Sequence, residues 1–349
     1  MTYWISILTE ACIFSIMALG VNVIWGWAGD FDLALYGYVA LGVYLTIAMT
    51  AGPPLAPTQY ILGWNLPYVV AVLLAVLIVL PIAAIVGAVA LRNLRDIYFA
   101  ITTLGVISVL YVIVQIYTPL FNGFNGIAGL VTPMAGPLHI SYNNYKYFLL
   151  ALCAVVLLIA VVVLQRLSSS PYGRAIRSIR DNEEAAAAFG RSIFRSKLTA
   201  YVLGAGLAAL GGSLFAAYLG AFNPSAWAPQ EILTLYAAVL VGGRGNVRGV
   251  VAGTFIVYIG FIELTRYLPN VGGNAEFGPS VRQVMIGALI VLMLKFRPQG
   301  IFPDRHGVPR SARRGAQGTS GAPGGGWRDR LPLLAGRPNR GRPEQDVIS

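Results

Sequence analysis

Long apolar runs recur along this chain, and they constrain its fold more than any other feature. Runs long enough to cross a bilayer core of about 30 Å alternate with polar connections, and only 11% of the residues are charged. Because soluble domains carry about a quarter charged residues, the pattern predicts an integral membrane protein. A backbone in lipid must satisfy its own hydrogen bonds, so the expected spanning elements are helices.

The expected fold class is therefore all-α, a polytopic bundle of transmembrane helices. The predicted spans are 4–25, 33–51, 67–91, 97–118, 146–165, 198–219, 230–243, 249–265 and 281–296. The seventh is short and ends in glycines, which indicates a broken or re-entrant helix and leaves the count at eight to ten. The first run lacks the basic n-region of a signal peptide and is longer than its apolar core, so it is predicted to be a retained span.

The net charge of +11 is concentrated outside the apolar runs. Residues 166–197 hold seven basic and three acidic side chains, and residues 304–349 hold nine basic and four acidic ones. Basic connections stay on the cytoplasmic side of a membrane, so both segments are predicted there, together with Arg92, Arg95 and the C-terminus. This location in a plasma membrane accounts for the charge without a nucleic-acid partner.

The composition changes after Pro303. Residues 304–349 are rich in Gly, Pro, Arg and Ser and contain few large apolar side chains. Such a segment cannot bury enough surface to fold. We therefore expect a transmembrane domain over 1–303 and a disordered basic tail over 304–349, which either extends into solvent or touches anionic lipid headgroups.

One face of the sixth predicted span is nearly bare. Small residues recur there at every fourth position, at Gly204, Ala208, Gly212, Ala216 and Gly220. Small side chains let helix backbones approach closely in lipid. The face is therefore predicted to be a packing surface without chemistry of its own.

The segment 170–197 is a charged amphipathic connection between two apolar runs. Ser170 and Pro171 form a good N-cap and first-turn pair, and Gly190 is a suitable C-terminal stop. Charged residues recur between them at spacings of three or four, which predicts one face of a single helix: Arg174, Arg177, Asp181 and Glu184. The alanines that follow form helices well and have little bulk, so this helix is suited either to a groove of another protein or to the membrane surface.

Several motifs in this chain resemble known permeases. Glu184-Ala185-Ala186, followed after three residues by Gly190, resembles the EAA loop of ABC importer permeases, whose coupling helix docks onto a cytosolic ATPase. The longer string 170–197 resembles the corresponding loop of branched-chain amino acid permeases of the LivM type. Four further segments resemble that family in the same order, and they are residues 92–105, 125–127, 241–249 and 296–301. The resemblance covers roughly 1–303 and leaves out the tail.

The resemblance implies a permease subunit of an ATP-driven importer in the cytoplasmic membrane of a prokaryote. Its solutes would be branched-chain amino acids or similar small polar molecules, with urea and short amides as alternatives. Its partners would be cytosolic ATPase subunits that bind ATP and Mg, a second permease subunit (a homologue or a second copy) and an extracytoplasmic solute-binding protein. The residues expected to contact the ATPase are Arg174, Arg177, Arg180, Glu184, Ala185, Ala186 and Gly190.

Polar residues within or beside the apolar runs are candidates for the solute path. Asp30 and Asp32 lie where the first two runs meet, in a glycine-containing stretch that predicts a helix break. A carboxylate at bilayer depth costs about 2.5–3.5 kcal/mol, so it normally faces protein or water. The resemblance implies that this region is part of the translocation path, although Asp30 departs from the apolar residue or Gln usual in the family. Solvated positions at the interface are the alternative for both carboxylates.

The remaining candidates for the solute path are uncharged, and they are Asn22, Thr102, Thr103 and Asn125. A proton- or cation-coupled secondary transporter is the main alternative function, with Asp30, Asp32 and Glu10 as its ion sites. That alternative leaves the charge of 170–197 unexplained. The sequence contains no G-x-x-x-x-G-K-[ST] phosphate loop and no nucleophile–base or metal-ligand cluster, so no ATPase site, catalytic site, metal site or bound cofactor is expected in this chain.

Overall fold

The computed structural model describes residues 2–54, 58–93, 96–130, 133–134, 142–227, 231–266, 277–297 and 299–303. Contacts divide the chain into one unit, Met1–Arg305, and a second unit, His306–Ser349. The predicted tail, 304–349, lies outside the described residues, as does Arg95, so the tail stays a prediction.

The described part of the chain contains twelve α-helices. They are α1 (Thr2–Val21), α2 (Leu35–Thr50), α3 (Tyr68–Asn93), α4 (Asp96–Ile116), α5 (Thr118–Phe121), α6 (Tyr142–Ser169), α7 (Pro171–Asp181), α8 (Glu183–Ala188), α9 (Ile193–Leu219), α10 (Ile232–Gly242), α11 (Val247–Arg266) and α12 (Phe277–Phe296). By length and composition five of them can cross a membrane, namely α1 together with the helical residues that continue it to Ala28, α3, α4, α6 and α9. Helices α2 and α10 and the first part of α11, Val247–Gly260, are shorter apolar helices. The predicted polytopic helical bundle is confirmed.

Helix α2 lies at the centre of the bundle, where every residue from Leu35 to Met49 is buried. Helix α9 packs against it through the small-residue face. A Cβ added to Gly212 would lie 2.1 Å from the Val39 carbonyl oxygen, and one added to Gly204 would lie 2.8 Å from the Gly20 carbonyl oxygen. The predicted packing surface is confirmed, because only small residues permit α9 to lie this close to α1 and α2.

Helices α3, α4 and α6 form much of the outside of the bundle. Their outward faces carry strongly exposed apolar side chains, among them Leu73, Leu77, Ile85, Val89, Ile101 and Leu158. A contiguous apolar surface of this kind is unfavourable in water. It is suited to the hydrocarbon of a membrane, which agrees with the multi-pass membrane protein expected from the sequence.

Helix α10 is too short to cross a bilayer. Its eleven residues rise about 16 Å at 1.5 Å per residue. The helix is buried from Leu235 to Gly242 and ends at Gly243, whose φ is +102°. The seventh predicted span is therefore a short helix that ends at a glycine, as the sequence indicates, and its broken or re-entrant form stays a prediction.

Helix α9 runs from one end of the bundle to the other. Its first residues adjoin α7 and α8, and we call this the loop end. At its other end α9 leads into a two-stranded antiparallel ribbon, in which β1 (Ile127–Ala128) pairs with β2 (Ala221–Phe222). We call this end of the bundle the ribbon end. The 27 residues of α9 separate the two ends by about 40 Å.

Candidate functional site

The charged connection between α6 and α9 begins as predicted. The Ser170 hydroxyl oxygen accepts a hydrogen bond from the Gly173 N–H at 3.4 Å, and Pro171 occupies the first position of α7. Burial of Ile176 and Ile179 holds one side of α7 against the bundle. This amphipathic helix therefore lies on the bundle and does not extend into solvent.

The predicted single helix over 170–190 is wrong, because the chain breaks at Asn182. This residue is extended, and its side-chain oxygen accepts a hydrogen bond from the Ala185 N–H at 2.9 Å, which starts α8. An Asn side chain can bond backbone N–H groups nearby, which favours a helix start over continuation of the preceding helix. Glu184 therefore does not continue the face that carries Arg174 and Arg177.

Gly190 ends α8, as the sequence predicts. Its φ is +76°, its N–H donates to the Ala187 carbonyl at 2.9 Å, and the Arg191 N–H donates to the Ala186 carbonyl at 3.1 Å. These two bonds are the Schellman arrangement, in which glycine is preferred because the conformation is left-handed. No heavy atom lies within 4 Å of a Cβ added at Gly190, so a substitution there is opposed by backbone conformation alone.

Two of the arginines expected to contact an ATPase are bonded to the end of α6. The Arg177 guanidinium is buried and donates to the Ser168 carbonyl at 2.5 Å and to the Ser168 hydroxyl at 2.9 Å. Arg174 is exposed and donates to the Ser169 carbonyl at 2.7 Å. Arg177 therefore fixes α7 to α6, and its buried guanidinium is not open to a partner, whereas Arg174 on the same face is.

The third arginine, Arg180, is bonded to the end of the first span. After α1 the chain forms a π-helical segment, Asn22–Ala28, and this segment ends at Gly29 with a φ of +91°. Arg180 donates to the Gly26 carbonyl, and its Cγ lies 3.0 Å from a Cβ added at Gly29. The predicted helix break is confirmed, and the last turn of α7 rests on it.

Most of α8 is exposed at the loop end. Glu184 and Ala185 are exposed, as are the two alanines that follow Ala186, whereas Ala186 itself is buried. Phe189 follows them and is 86% exposed. Phe189 is not among the residues predicted from the sequence to contact an ATPase, although an aromatic residue directly before a helix-ending glycine in a charged segment is a signal that could have found it.

A network of three charged groups joins α8, α9 and the connection between α1 and α2. The Lys197 ammonium lies 2.6 Å from Asp30 Oδ1 and 2.5 Å from Glu183 Oε1. The side chains of Lys197 and Asp30 are only 11% and 5% exposed, whereas that of Glu183 is 47% exposed. Helix α9 begins five residues before its predicted span, so Lys197 lies within a helix and not in a loop.

Asp32 is buried beside this network, and its neighbours tie it to several helices. Its Oδ1 accepts from the Ala34 N–H at 3.0 Å, just before α2 begins. The Tyr236 hydroxyl of α10 donates to the Asp32 carbonyl at 2.6 Å, and the Leu33 N–H donates to the Thr103 hydroxyl of α4 at 3.1 Å. Burial raises the pKa of this carboxyl to about 7, and within the described residues its Oδ2 makes no hydrogen bond.

Asn22 connects the π-helical segment to the turn between α10 and α11. Its side-chain oxygen accepts from the Gly245 N–H at 2.7 Å, and the Trp27 indole N–H donates to the Gly245 carbonyl at 3.3 Å. The Asn22 Nδ2 has no partner within the described residues. The Asn22 side chain therefore joins two segments of the bundle through its oxygen, while its NH2 group is a donor still open to a further hydrogen bond.

The remaining candidates for the solute path are spread over the molecule. Thr102 is half-buried on α4 beside the buried Thr103, whereas Asn125 is exposed at the ribbon end. Glu10 lies on α1, where the Tyr258 hydroxyl of α11 donates to it. The structure thus brings Asn22, Asp30, Asp32 and Thr103 together at the loop end and leaves Asn125 at the opposite end.

A cleft of about 1050 Å³ opens at the loop end beside the charged network. Its walls carry both signs of charge, with Asp30 and Glu183 near Arg92 and Lys197. Such a lining does not select a ligand of one charge. Among the described residues no group of three or more His, Cys, Asp or Glu side chains could hold a metal ion.

The chain matches the family described as the permease component of branched-chain amino acid transport systems over residues 3–294. The high-affinity branched-chain amino acid transport system permease protein LivM of Salmonella typhimurium is 30% identical over 86% of this chain and 70% of that protein. A probable branched-chain amino acid transport permease protein LivM of Methanocaldococcus jannaschii is 25% identical over 84% and 91%. The high-affinity branched-chain amino acid transport system permease protein LivH of Escherichia coli is 24% identical over 82% and 90%.

No solved structure gives a significant match to the chain. The match to the family nevertheless covers most of the helical bundle, from the start of α1 to the last turn of α12. The resemblance found in the sequence motifs is confirmed by these comparisons. The chain belongs to the permease family of branched-chain amino acid transport systems.

Proposed function

We propose that this chain is a permease subunit of an ATP-driven importer that carries branched-chain amino acids or similar small polar solutes. The main structural support for coupling to an ATPase is the exposed helix α8, with Phe189 at its end. An ATP-driven permease without a phosphate-binding loop of its own needs a separate ATPase, and α8 is the element best suited to meet that protein.

The shape of α8 supports this assignment. Beside Glu184 its exposed residues are the alanines Ala185, Ala187 and Ala188, so a groove can approach the helix backbone closely there, and Phe189 adds one large apolar side chain. Short helices dock into grooves in this way, and aromatic residues are common anchors of interfaces. Helix α7 supplies a fixed base, because Arg177 and Arg180 hold it to the bundle.

The distribution of charge supports a sidedness for the whole bundle. The basic segment 166–197 favours a cytoplasmic position for the loop end, and the C-terminus would lie on the same side. Cytosolic ATPase subunits would bind there, with ATP and Mg held by those subunits. The ribbon end would then face an extracytoplasmic solute-binding protein.

A second permease subunit would complete the path. Relatives of this chain carry the names LivM and LivH, which supports a pair of homologous permeases over two copies of one chain. The ion pair with Lys197 makes Asp30 a poor proton or cation site for the alternative, a proton- or cation-coupled carrier.

The test is affinity purification of the tagged chain from mild detergent, with Gly190→Arg as the variant. Gly52→Arg is the matched control, because a Cβ at Gly52 also meets no heavy atom within 4 Å and this residue lies in the connection after α2, away from α8. An ATPase is expected to co-purify with the wild type and with Gly52→Arg and to be largely lost from Gly190→Arg. Absence of any ATPase from the wild-type preparation, under conditions that retain known membrane complexes, contradicts the proposal.

The solute is tested by uptake into cells that lack their own branched-chain amino acid transport and that express the chain with the proteins that co-purify with it. Radiolabelled leucine is compared with urea and acetamide. Uptake of leucine that survives an uncoupler while ATP is held constant supports the proposal. Uptake that collapses with the uncoupler supports the secondary transporter, and uptake of urea or acetamide alone assigns a different solute.

A further inference from the structure

Lys197 is the meeting point of three separate elements at the loop end. Lys197 lies early in α9. Its two partners are Asp30, in the connection after the π-helical segment, and Glu183, the first residue of α8. Both ion pairs are short, at 2.6 and 2.5 Å. Because Lys197 and Asp30 are nearly buried, their attraction is screened little by salt. The half-exposed side chain of Glu183 attaches α8 to this buried pair through its ion pair with Lys197.

A second polar link reaches the same connection from α7. Arg180 donates to the carbonyl of Gly26 and packs its Cγ against Gly29. This link and the Lys197 link are independent, because one uses a backbone carbonyl and the other a carboxylate. The two helices of the charged segment therefore both hold residues 26–30.

The connection is also held from inside the bundle. The Asp32 side chain caps the start of α2, and the Asp32 backbone carbonyl accepts a hydrogen bond from the Tyr236 hydroxyl of α10. The Leu33 N–H donates to the Thr103 hydroxyl of α4. A displacement of residues 26–30 therefore cannot stay local, because it changes the bonds at the start of α2 and those to Thr103 within α4 and Tyr236 within α10. Helix α2 is the innermost helix of the bundle, so it is the element best placed to alter a path through it.

We propose that Lys197 and Asp30 are positioning residues that transmit the movement of α7 and α8 to the first two spans. This inference rests on the proposed function, because it takes the movement to be driven by a partner ATPase. It assigns Asp30 to coupling and not to solute contact. The buried pair suits this role because separating it leaves an unpaired charge in an environment of low polarity, so α8, α9 and the connection move as one body.

The test uses the wild-type complex with its co-purified ATPase and the double variant Asp30→Asn with Lys197→Met. The double variant removes both buried charges together, so it avoids the misfolding that a single unpaired charge can cause. Asp181→Asn is the control, because it removes a carboxylate from the same segment at a side chain that is 71% exposed. Asn keeps a side-chain oxygen to accept from Arg180 Nε, now 3.4 Å from Asp181 Oδ1, and leaves the Arg180 bond to Gly26 in place. Each preparation is checked for ATPase retention before use.

Hydrogen exchange is measured by mass spectrometry with and without ATP and vanadate, which requires no knowledge of the solute. In the wild type and in Asp181→Asn, nucleotide is expected to change exchange both in residues 171–190 and in residues 26–36. In the double variant the change in 171–190 should persist, whereas that in 26–36 should shrink by about twofold or more, because local protection follows the contacts that remain.

The outcomes separate this inference from the proposed function. An equal nucleotide-dependent change in residues 26–36 of the double variant and the wild type overturns the inference alone, as does the absence of such a change in the wild type. A wild-type preparation without any ATPase overturns the proposed function and the inference with it. Loss of leucine uptake per ATP hydrolysed in the double variant, with hydrolysis retained, is the expected companion result.

Discussion

The Lys197 ammonium lies 2.6 Å from Asp30 Oδ1, although the two residues are 167 positions apart in the sequence. The pair joins the start of α9 to the end of the first span, and both side chains are nearly buried. Its location changes the interpretation of Asp30, which from the sequence alone is a candidate for the solute path. The carboxylate belongs to the contact between the charged segment and the bundle.

The buried pair leads to a prediction about stability. Lys197→Met leaves the Asp30 carboxylate buried without its cation and should destabilise the protein by about 3–5 kcal/mol. The double variant Asp30→Asn with Lys197→Met should recover most of that loss, because neither charge remains to be solvated. Thermal unfolding in detergent, followed by intrinsic fluorescence, checks both. Melting temperatures of Lys197→Met equal to the wild type would show that the pair contributes little.

The features that could be predicted from the sequence are those that local chemistry determines. Apolar runs specify the spans because a bilayer accepts little else, and Ser170 and Gly190 mark helix ends because their bonding partners are a few residues away. The break at Asn182 was missed, although Asn followed by two acidic residues is itself a helix-start signal. Two local signals compete there: the high helix propensity of the alanines favours one continuous helix, whereas Asn182 favours the start of a new one. The structure follows Asn182.

The contacts that organise the loop end could not be predicted from the sequence. Arg180 and Gly26 are 154 positions apart, and their approach depends on how α7 lies across the end of α1. Likewise, α2 reads as an ordinary apolar run, and its burial follows only from the packing of α9 against it. Arg177 illustrates the consequence, because a residue expected at a partner interface is instead buried against Ser168.

The buried carboxyl of Asp32 predicts a dependence of stability on pH. Its pKa is about 7 in the folded protein, against about 3.9 for an unfolded chain. Between these values the folded state binds more protons than the unfolded state, so this group makes stability fall as the pH rises from about 4 to about 7.

The measurement compares the melting temperatures of the wild type and Asp32→Asn from pH 5 to pH 8. Asn keeps the side-chain oxygen that caps α2, so the variant should fold and should show a flatter profile, with its largest advantage at pH 8. Parallel profiles would show that Asp32 does not titrate in this range. If the carboxyl also acts in transport, Asp32→Asn lowers uptake at unchanged membrane abundance, and unchanged uptake would exclude that role.

The left-handed conformation of Gly190 predicts a graded series of variants. Its φ of +76° is disfavoured for residues with a Cβ by about 1–2 kcal/mol, except that Asn and Asp adopt it more readily. Gly190→Ala should therefore retain less ATPase than Gly190→Asn, which should resemble the wild type. Quantitative mass spectrometry of the purified complexes gives the ratio. Equal loss from both variants would mean that bulk at this position matters, and not the turn that ends α8.

The exposed ring of Phe189 makes the sharpest prediction about the docking surface. Because the side chain is 86% exposed, Phe189→Ala should leave the melting temperature of the isolated permease nearly unchanged, as is usual for surface positions. If the ring is an anchor for the ATPase, its loss should cost more than 1 kcal/mol of binding and lower ATPase retention by about fivefold or more. Phe124→Ala is the matched control, because Phe124 is also strongly exposed but lies at the ribbon end. Equal retention in Phe189→Ala and Phe124→Ala would show that the ATPase does not use this ring, whereas selective loss in Phe189→Ala places the contact on α8.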